Sequence, residues 1–238
     1  MQSTRKLSAF VVQVCAPPMS ASGFFLGGRM RTAFLIDGFN VYHSIKSLPP
    51  EYHWLNYKAL CAHFLKEADI LTSVTYFTAL ALWKEPASNR HRIFIGACEA
   101  LGVNVVLGKF KEKHSKCPLK IKNNIDNCDG NITRHEEKET DVNIALYAYR
   151  TASLNLAEQI FFVTGDTDMI PAIRLIKNDF PEIKIGVIFP YGRANRELKM
   201  YVDLHYKVTV KTMTKFIMPI EIKTKHGKSL FCPQEWRK

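Results

Sequence analysis

Apolar residues along this chain fall into short runs that alternate with helical stripes. "TAFLI" (32–36) is a brief continuous apolar run, the pattern of a strand buried on both faces. "SVTYFTAL" (73–80) is rich in β-branched and aromatic residues and predicts a second strand. "VNVVLG" (103–108), "QIFFV" (159–163) and "IKIGVIF" (183–189) predict three more, and His205–Val208 a short sixth. Helices are expected between them. "LNYKALCAHFLKEA" is one, and "ASNRHRIFIGACEAL" is another, with Phe94, Ala97, Cys98 and Leu101 on a stripe that stops at Gly102. "KETDVNIALYAYRTA" places Val142, Leu146 and Tyr149 on one stripe, and "DMIPAIRLIKN" and "ANRELKMYV" follow. Strand–helix alternation predicts an α/β fold with a mostly parallel sheet covered on both faces.

Three stretches break the rhythm. Residues 1–29 contain no acidic residue and precede Met30 and the first strand. A weak secretory signal is one reading, and a disordered, nonessential leader is the one favoured here. Residues 109–135 are rich in Lys, Asn and Cys with little period, and are expected to form an irregular insertion. From residue 209 onward the chain is lysine-rich without a period, which suggests a basic tail.

Composition narrows the function classes. The chain has 238 residues and 47% hydrophobic content, enough for a substantial core. No apolar stretch reaches the roughly 18 to 20 residues of a membrane span. With 33 Lys+Arg against 22 Asp+Glu the formal net charge is +11, which favours a polyanionic partner such as nucleic acid, although solubility alone also selects charge. The six cysteines form no dense disulfide framework; Cys61 and Cys98 read as small core residues, which suggests a reducing, cytoplasmic setting.

The acids are more informative. Ligands of a parallel sheet bind beyond the carboxyl ends of its strands. The first strand delivers Asp37, in "LIDGFNVY", and strand 159–163 runs into Thr164-Gly165-Asp166-Thr167-Asp168. Glu139 and Asp141 lie in the first turn of the helix beginning near residue 138. Gathered carboxylates repel one another unless a cation lies between them, and an all-oxygen set suits Mg²⁺ or Mn²⁺. Each acid also has a plainer use. Asp37, and Asp166 or Asp168, are placed to cap helices, and Asp141 to complement a helix dipole. One cap per helix leaves the Asp166/Asp168 pair unexplained.

"FLIDGFNVY", "EEKETDVNIAL" and "FFVTGDTDMIPAI" together resemble the NYN domain, the branch of the PIN-like nuclease superfamily that includes LabA/DUF88 proteins. The likeness spans residues 31–208. It implies a three-layer α/β/α PIN-like (Rossmannoid) fold with a central sheet of five or six strands, and metal-dependent ribonuclease activity on RNA. Asp37, Asp141, Asp166 and Asp168 take the places of the metal-holding catalytic acids. Asn40 and Thr164 take supporting places, with Lys138 and Glu139 as further supporting candidates. PIN-like domains often dimerise, so a homodimer is also expected.

Other features stand apart from these motifs. His114, Cys117, Cys128 and His135 form H-x2-C-x10-C-x6-H, a spacing open to a structural Zn²⁺ site or to a basic loop without metal. Lys109, Lys111 and Lys113 in the insertion, and Arg193 and Arg196 in "PYGRANRELK", are candidate RNA phosphate contacts, with Asn195 as a helix cap. Two further readings stay open: a non-catalytic RNA-binding or regulatory module, and a metal-dependent phosphoesterase acting on small substrates.

Overall fold

A computed structural model describes residues 29–116 and 131–237. Residues 1–28, which hold nearly all of the expected leader, lie outside the described residues, as do Cys117 and Cys128 of the suggested zinc set. The central sheet comprises β1 (Arg31–Asp37), β2 (Ile70–Thr78), β3 (Asn104–Leu107), β6 (Gln159–Val163), β7 (Lys184–Phe189) and β8 (Leu204–Lys207). Its order is β3-β2-β1-β6-β7-β8, and every neighbouring pair is parallel. The chain runs outward from β1 through β2 to β3, then returns to lay β6 on the other flank of β1. The reversal opens a crevice between the ends of β1 and β6.

Alternation along the strands supplies two cores. Phe34, Ile36, Phe161, Val163 and Ile188 face one layer, with α1 (Gly38–Ile45), α2 (Tyr57–Ala62) and α3 (Glu85–Ala100). Leu35, Ile160, Phe162, Val187 and Phe189 face the other, with α4 (Thr140–Ser153), α5 (Ile170–Asp179) and α6 (Arg196–Lys199). This is the expected three-layer α/β/α architecture, with six strands. Cys61 and Cys98 are buried free thiols, and Gly102 ends α3 with a positive φ of 84°.

Three expectations differ from the structure. The described ends of the segment 109–135 are regular: β4 (Lys109–Lys116) and β5 (Asn131–Lys138) pair antiparallel as a separate two-stranded sheet. In α4 the buried face is Ile144, Ala148 and Ala152, whereas Val142 and Leu146 of the expected stripe are exposed. Small Ala148 and Ala152 let this helix lie close to the sheet, which its bulkier stripe would prevent. The basic tail is also part of the fold. It forms α7 (Val210–Thr214), β9 (Glu221–Lys223) and β10 (Ser229–Phe231), and buries Met213, Met218, Ile222 and Cys232 in the first core.

Candidate active site at the end of the parallel sheet

Asp37 is the last residue of β1 and is only 4% exposed. Its Oδ1 accepts from the backbone N–H of Asn40 at 2.9 Å, capping α1, and its Oδ2 accepts from the Thr164 hydroxyl at 2.8 Å. A capping role and a buried acid therefore coexist in one side chain. Thr164 follows β6, is 1% exposed, and accepts from the backbone N–H of Asp166 at 3.1 Å. Asn40 reaches across to accept from the Gly165 N–H at 3.1 Å. These bonds lock the ends of β1 and β6 together. Gly165 must be glycine, because a Cβ there would collide with the carbonyl oxygen of Arg193.

Asp166 caps the short 3₁₀ turn Thr167–Met169 through Asp168 N–H at 3.0 Å. Asp141 sits in the first turn of α4. Burial chiefly, then the nearby charges of Asp141 and Asp166, pushes the Asp37 carboxyl up to about 6. Asp141 is raised by burial and then by Asp166 and Asp168. The four expected acids thus share one electrostatic neighbourhood.

A fifth acid belongs with them. Glu137, at the end of β5, is raised to about 7 by burial first, against the lowering hydrogen bond from Thr140, and further by Asp37 and Asp141. The Thr140 hydroxyl donates to its Oε1 at 2.5 Å. The neighbouring supporting candidates point elsewhere: Glu139 pairs with Lys109, and Lys138 pairs with Glu136 at 3.1 Å. Glu139 has a left-handed φ of 79°, an uncommon conformation for a residue with a Cβ, and this kink separates it from Glu137. In "EEKETD" the strand period of two separates Glu137 from Glu136 and Lys138, but only once β5 is known to be a strand.

The donor set suits a hard divalent cation. It is all carboxylate, and each Asp37 oxygen accepts a single hydrogen bond, which leaves lone pairs for a metal. Among the described residues no group of three or more His, Cys, Asp or Glu side chains is placed to hold a metal ion. An ion held by these acids would therefore take few protein ligands and keep several of its waters.

The remaining described candidates fall on other elements. His135 stacks on Trp83, with ring centroids 3.6 Å apart, and His114 contacts Thr133 and Glu112. Lys109, Lys111 and Lys113 share one face of the β4–β5 hairpin with Arg134, where Lys113 pairs with Glu136. The backbone of Arg193 covers Gly165, and Arg196 opens α6, which Asn195 caps at Glu197 N–H and Leu198 N–H.

Beside the acids lies a cleft of about 490 Å³ that Gly38 and Glu137 help to line. Among the described residues no helix is long and apolar enough to cross a membrane.

A 6-hydroxy-3-succinoylpyridine 3-monooxygenase from Pseudomonas putida is 26% identical over 200 residues, covering 70% of this chain and 62% of that protein. The chain therefore spans less than two thirds of that relative's length. A crystal structure of a protein of unknown function from Vibrio parahaemolyticus aligns at TM-score 0.49 and 18% identity, covering 82% of this chain and all of that one, a likeness too distant to bear on function. The model of the NYN domain, a PIN-like nuclease family, matches residues 31–209, which include β1, α4 and the β6 turn with all four expected acids. The chain belongs to the NYN domain family.

Proposed function

We propose that this protein is a metal-dependent ribonuclease that hydrolyses RNA phosphodiester bonds at the β1/β6 edge. The observation that carries this reading is the electrostatic coupling of Asp37, Glu137, Asp141, Asp166 and Asp168, supplied by separate segments to one end of a parallel sheet. Upward shifts from burial and mutual repulsion are the condition that a bound cation relieves. Asp37, Asp141, Asp166 and Asp168 would hold Mg²⁺ or Mn²⁺, which when bound polarises phosphate oxygen and makes water a better nucleophile.

The chain's own residues position that chemistry. Thr164 and the Asn40 N–H orient the two Asp37 oxygens, and Asn40 fixes the turn that carries Asp166. Lysines of the hairpin supply the positive field for the RNA backbone. Cleavage of labelled single-stranded RNA with Mn²⁺ tests this, with Asp37→Asn and Asp166→Asn beside the wild type. Metal-dependent cleavage lost in both variants supports the ribonuclease. Binding without cleavage points to a regulatory RNA-binding module, and hydrolysis of small phosphoesters alone points to a phosphoesterase.

A second reading takes its chemistry from the Pseudomonas relative, a monooxygenase of a hydroxypyridine. The aromatic side chains along the cleft favour it, because they suit a planar ring. Oxygen uptake dependent on 6-hydroxy-3-succinoylpyridine and a reductant would establish that activity instead.

A further inference from the structure

The cleft beside the acids has walls and a floor that packing alone does not explain. One wall runs from α1 to the tail. Phe39 meets His43 edge-on at 4.3 Å, Tyr42 lies 5.6 Å from His53, and His53 lies 5.5 Å from Trp236. A second aromatic group in the lining is Trp83, with His135 stacked on it and Phe110 edge-on at 4.8 Å. Large aromatics are normally buried, yet Phe39 is 46%, Tyr42 47% and Trp83 41% exposed here.

The floor is polar. His91 Nε2 lies 3.2 Å from both the Tyr76 and the Thr78 hydroxyls. Ser88, in the first turn of α3, is 3% exposed, and its Oγ is the buried side-chain oxygen or nitrogen that lacks a partner among the described residues. Helical serines commonly satisfy themselves by bonding the carbonyl four residues back, and this one does not. Its hydroxyl therefore has free donor and acceptor capacity where it lines the cleft. Lys46 and Lys84 also line the cleft, and Glu137 joins it to the acid cluster.

Flat aromatic walls, an unpartnered hydroxyl, flanking cations and continuity with the acids define the ligand's chemistry. Single-stranded RNA is recognised in this way, its unstacked bases lying on aromatic side chains and its edges read by hydrogen bonds. We infer that the cleft is a nucleobase subsite: a base next to the phosphate at the acid edge stacks against the Trp83/Phe39 walls, and its edge is read by Ser88. The inference rests on the ribonuclease reading for its choice of a base over a free heteroaromatic ring. It adds a substrate preference, because a site that reads a base edge discriminates among the four.

The test measures binding without catalysis. Fluorescently labelled RNA hexamers of each single base, and an abasic ribose-phosphate hexamer, are titrated with the full chain in EDTA at fixed salt. Base-bearing strands are expected to bind about tenfold tighter than the abasic strand, in the range of one stacked base. Trp83→Ala should bring that ratio close to unity, and Ser88→Ala should change the rank order of the four bases. Thermal melting of both variants guards against misfolding, and Trp83 is exposed enough to be replaced without opening the core.

Equal binding of abasic and base-bearing strands, or a full base preference in folded Trp83→Ala, overturns the subsite. So does equal binding of both strands combined with displacement of RNA by micromolar 6-hydroxy-3-succinoylpyridine, which would assign the cleft to a small heteroaromatic molecule. The two readings fail separately. Base-dependent binding with no Mn²⁺-dependent cleavage keeps the subsite and removes the nuclease, whereas cleavage with base-independent binding does the reverse.

Discussion

At the end of β1, Asp37 is buried, both of its oxygens are engaged, and it is surrounded by like charge. On one face of the β4–β5 hairpin, exposed Lys113 and partly exposed Glu136 are unlike in charge and paired at 3.2 Å. The first arrangement is held against its own electrostatics by the parallel sheet, because burial and repulsion both disfavour the charged carboxylate. The second is what solvent permits anywhere, and exposed pairs of this kind contribute little. At the acid edge the fold carries an electrostatic cost, whereas on the hairpin face little stability is at stake.

The strongest way to break this contrast is Asp37→Asn. Cleavage should fall about a thousandfold, equivalent to about 4 kcal/mol in the barrier, read by single-turnover kinetics. The same variant should make the metal-free protein more stable at pH 7.5, by up to about 3 kcal/mol, read by urea unfolding. A variant that lost activity and stability together would show that Asp37 is structural first.

The pH dependence sharpens the point. For Asp37 the folded-state value, about 6, lies above the ordinary 3.8, so the folded chain binds more protons in that window. Its contribution therefore falls as pH rises from about 4 to about 6. Glu137 acts in the same sense up to about 7. Burial lowers His91 from 6.5 to about 4, so the unfolded chain binds more protons there and stability rises with pH through that interval. In metal-free protein Asp37→Asn should make stability climb more steeply from pH 4 to 6.5, and His91→Gln should make it decline. Each change is worth up to about 3 kcal/mol across the window, checked by unfolding at pH 4.5 and pH 7.

Lys111, which forms no ion pair among the described residues, should matter only through RNA phosphate. Lys111→Ala should weaken all RNA sequences about equally and lower the salt slope of binding by about one, measured by titration at several salt concentrations. Smallest of all, Glu136→Gln should leave the melting midpoint within about 2 °C of wild type.

The sequence makes the acid edge readable because Asp37 and Asp166 follow buried apolar runs, in "FLID" and "FFVTGD", and burial on both faces leaves a strong pattern. Glu137 escapes it because β5 lies outside both cores. "NITRHEEK" carries no apolar alternation, since one face meets the cleft and the other the solvent. The α4 stripe misleads for the opposite reason. Two faces of that helix are apolar, and the sheet selects the one with small residues, Ala148 and Ala152. In the tail, three-residue strands are too short for a period to show, so Ile222 enters the core between two exposed neighbours without announcing itself.

The strand order also sets when the site can exist. The hydrogen bond between Thr164 and Asp37 joins residues 127 apart in sequence. β1 is synthesised first, yet its carboxyl end cannot be enclosed until β6 has emerged and docked beside it. While β6 is still unmade, the growing chain carries Asp37 without its hydroxyl partner, so the acid edge stays open until the two strands meet.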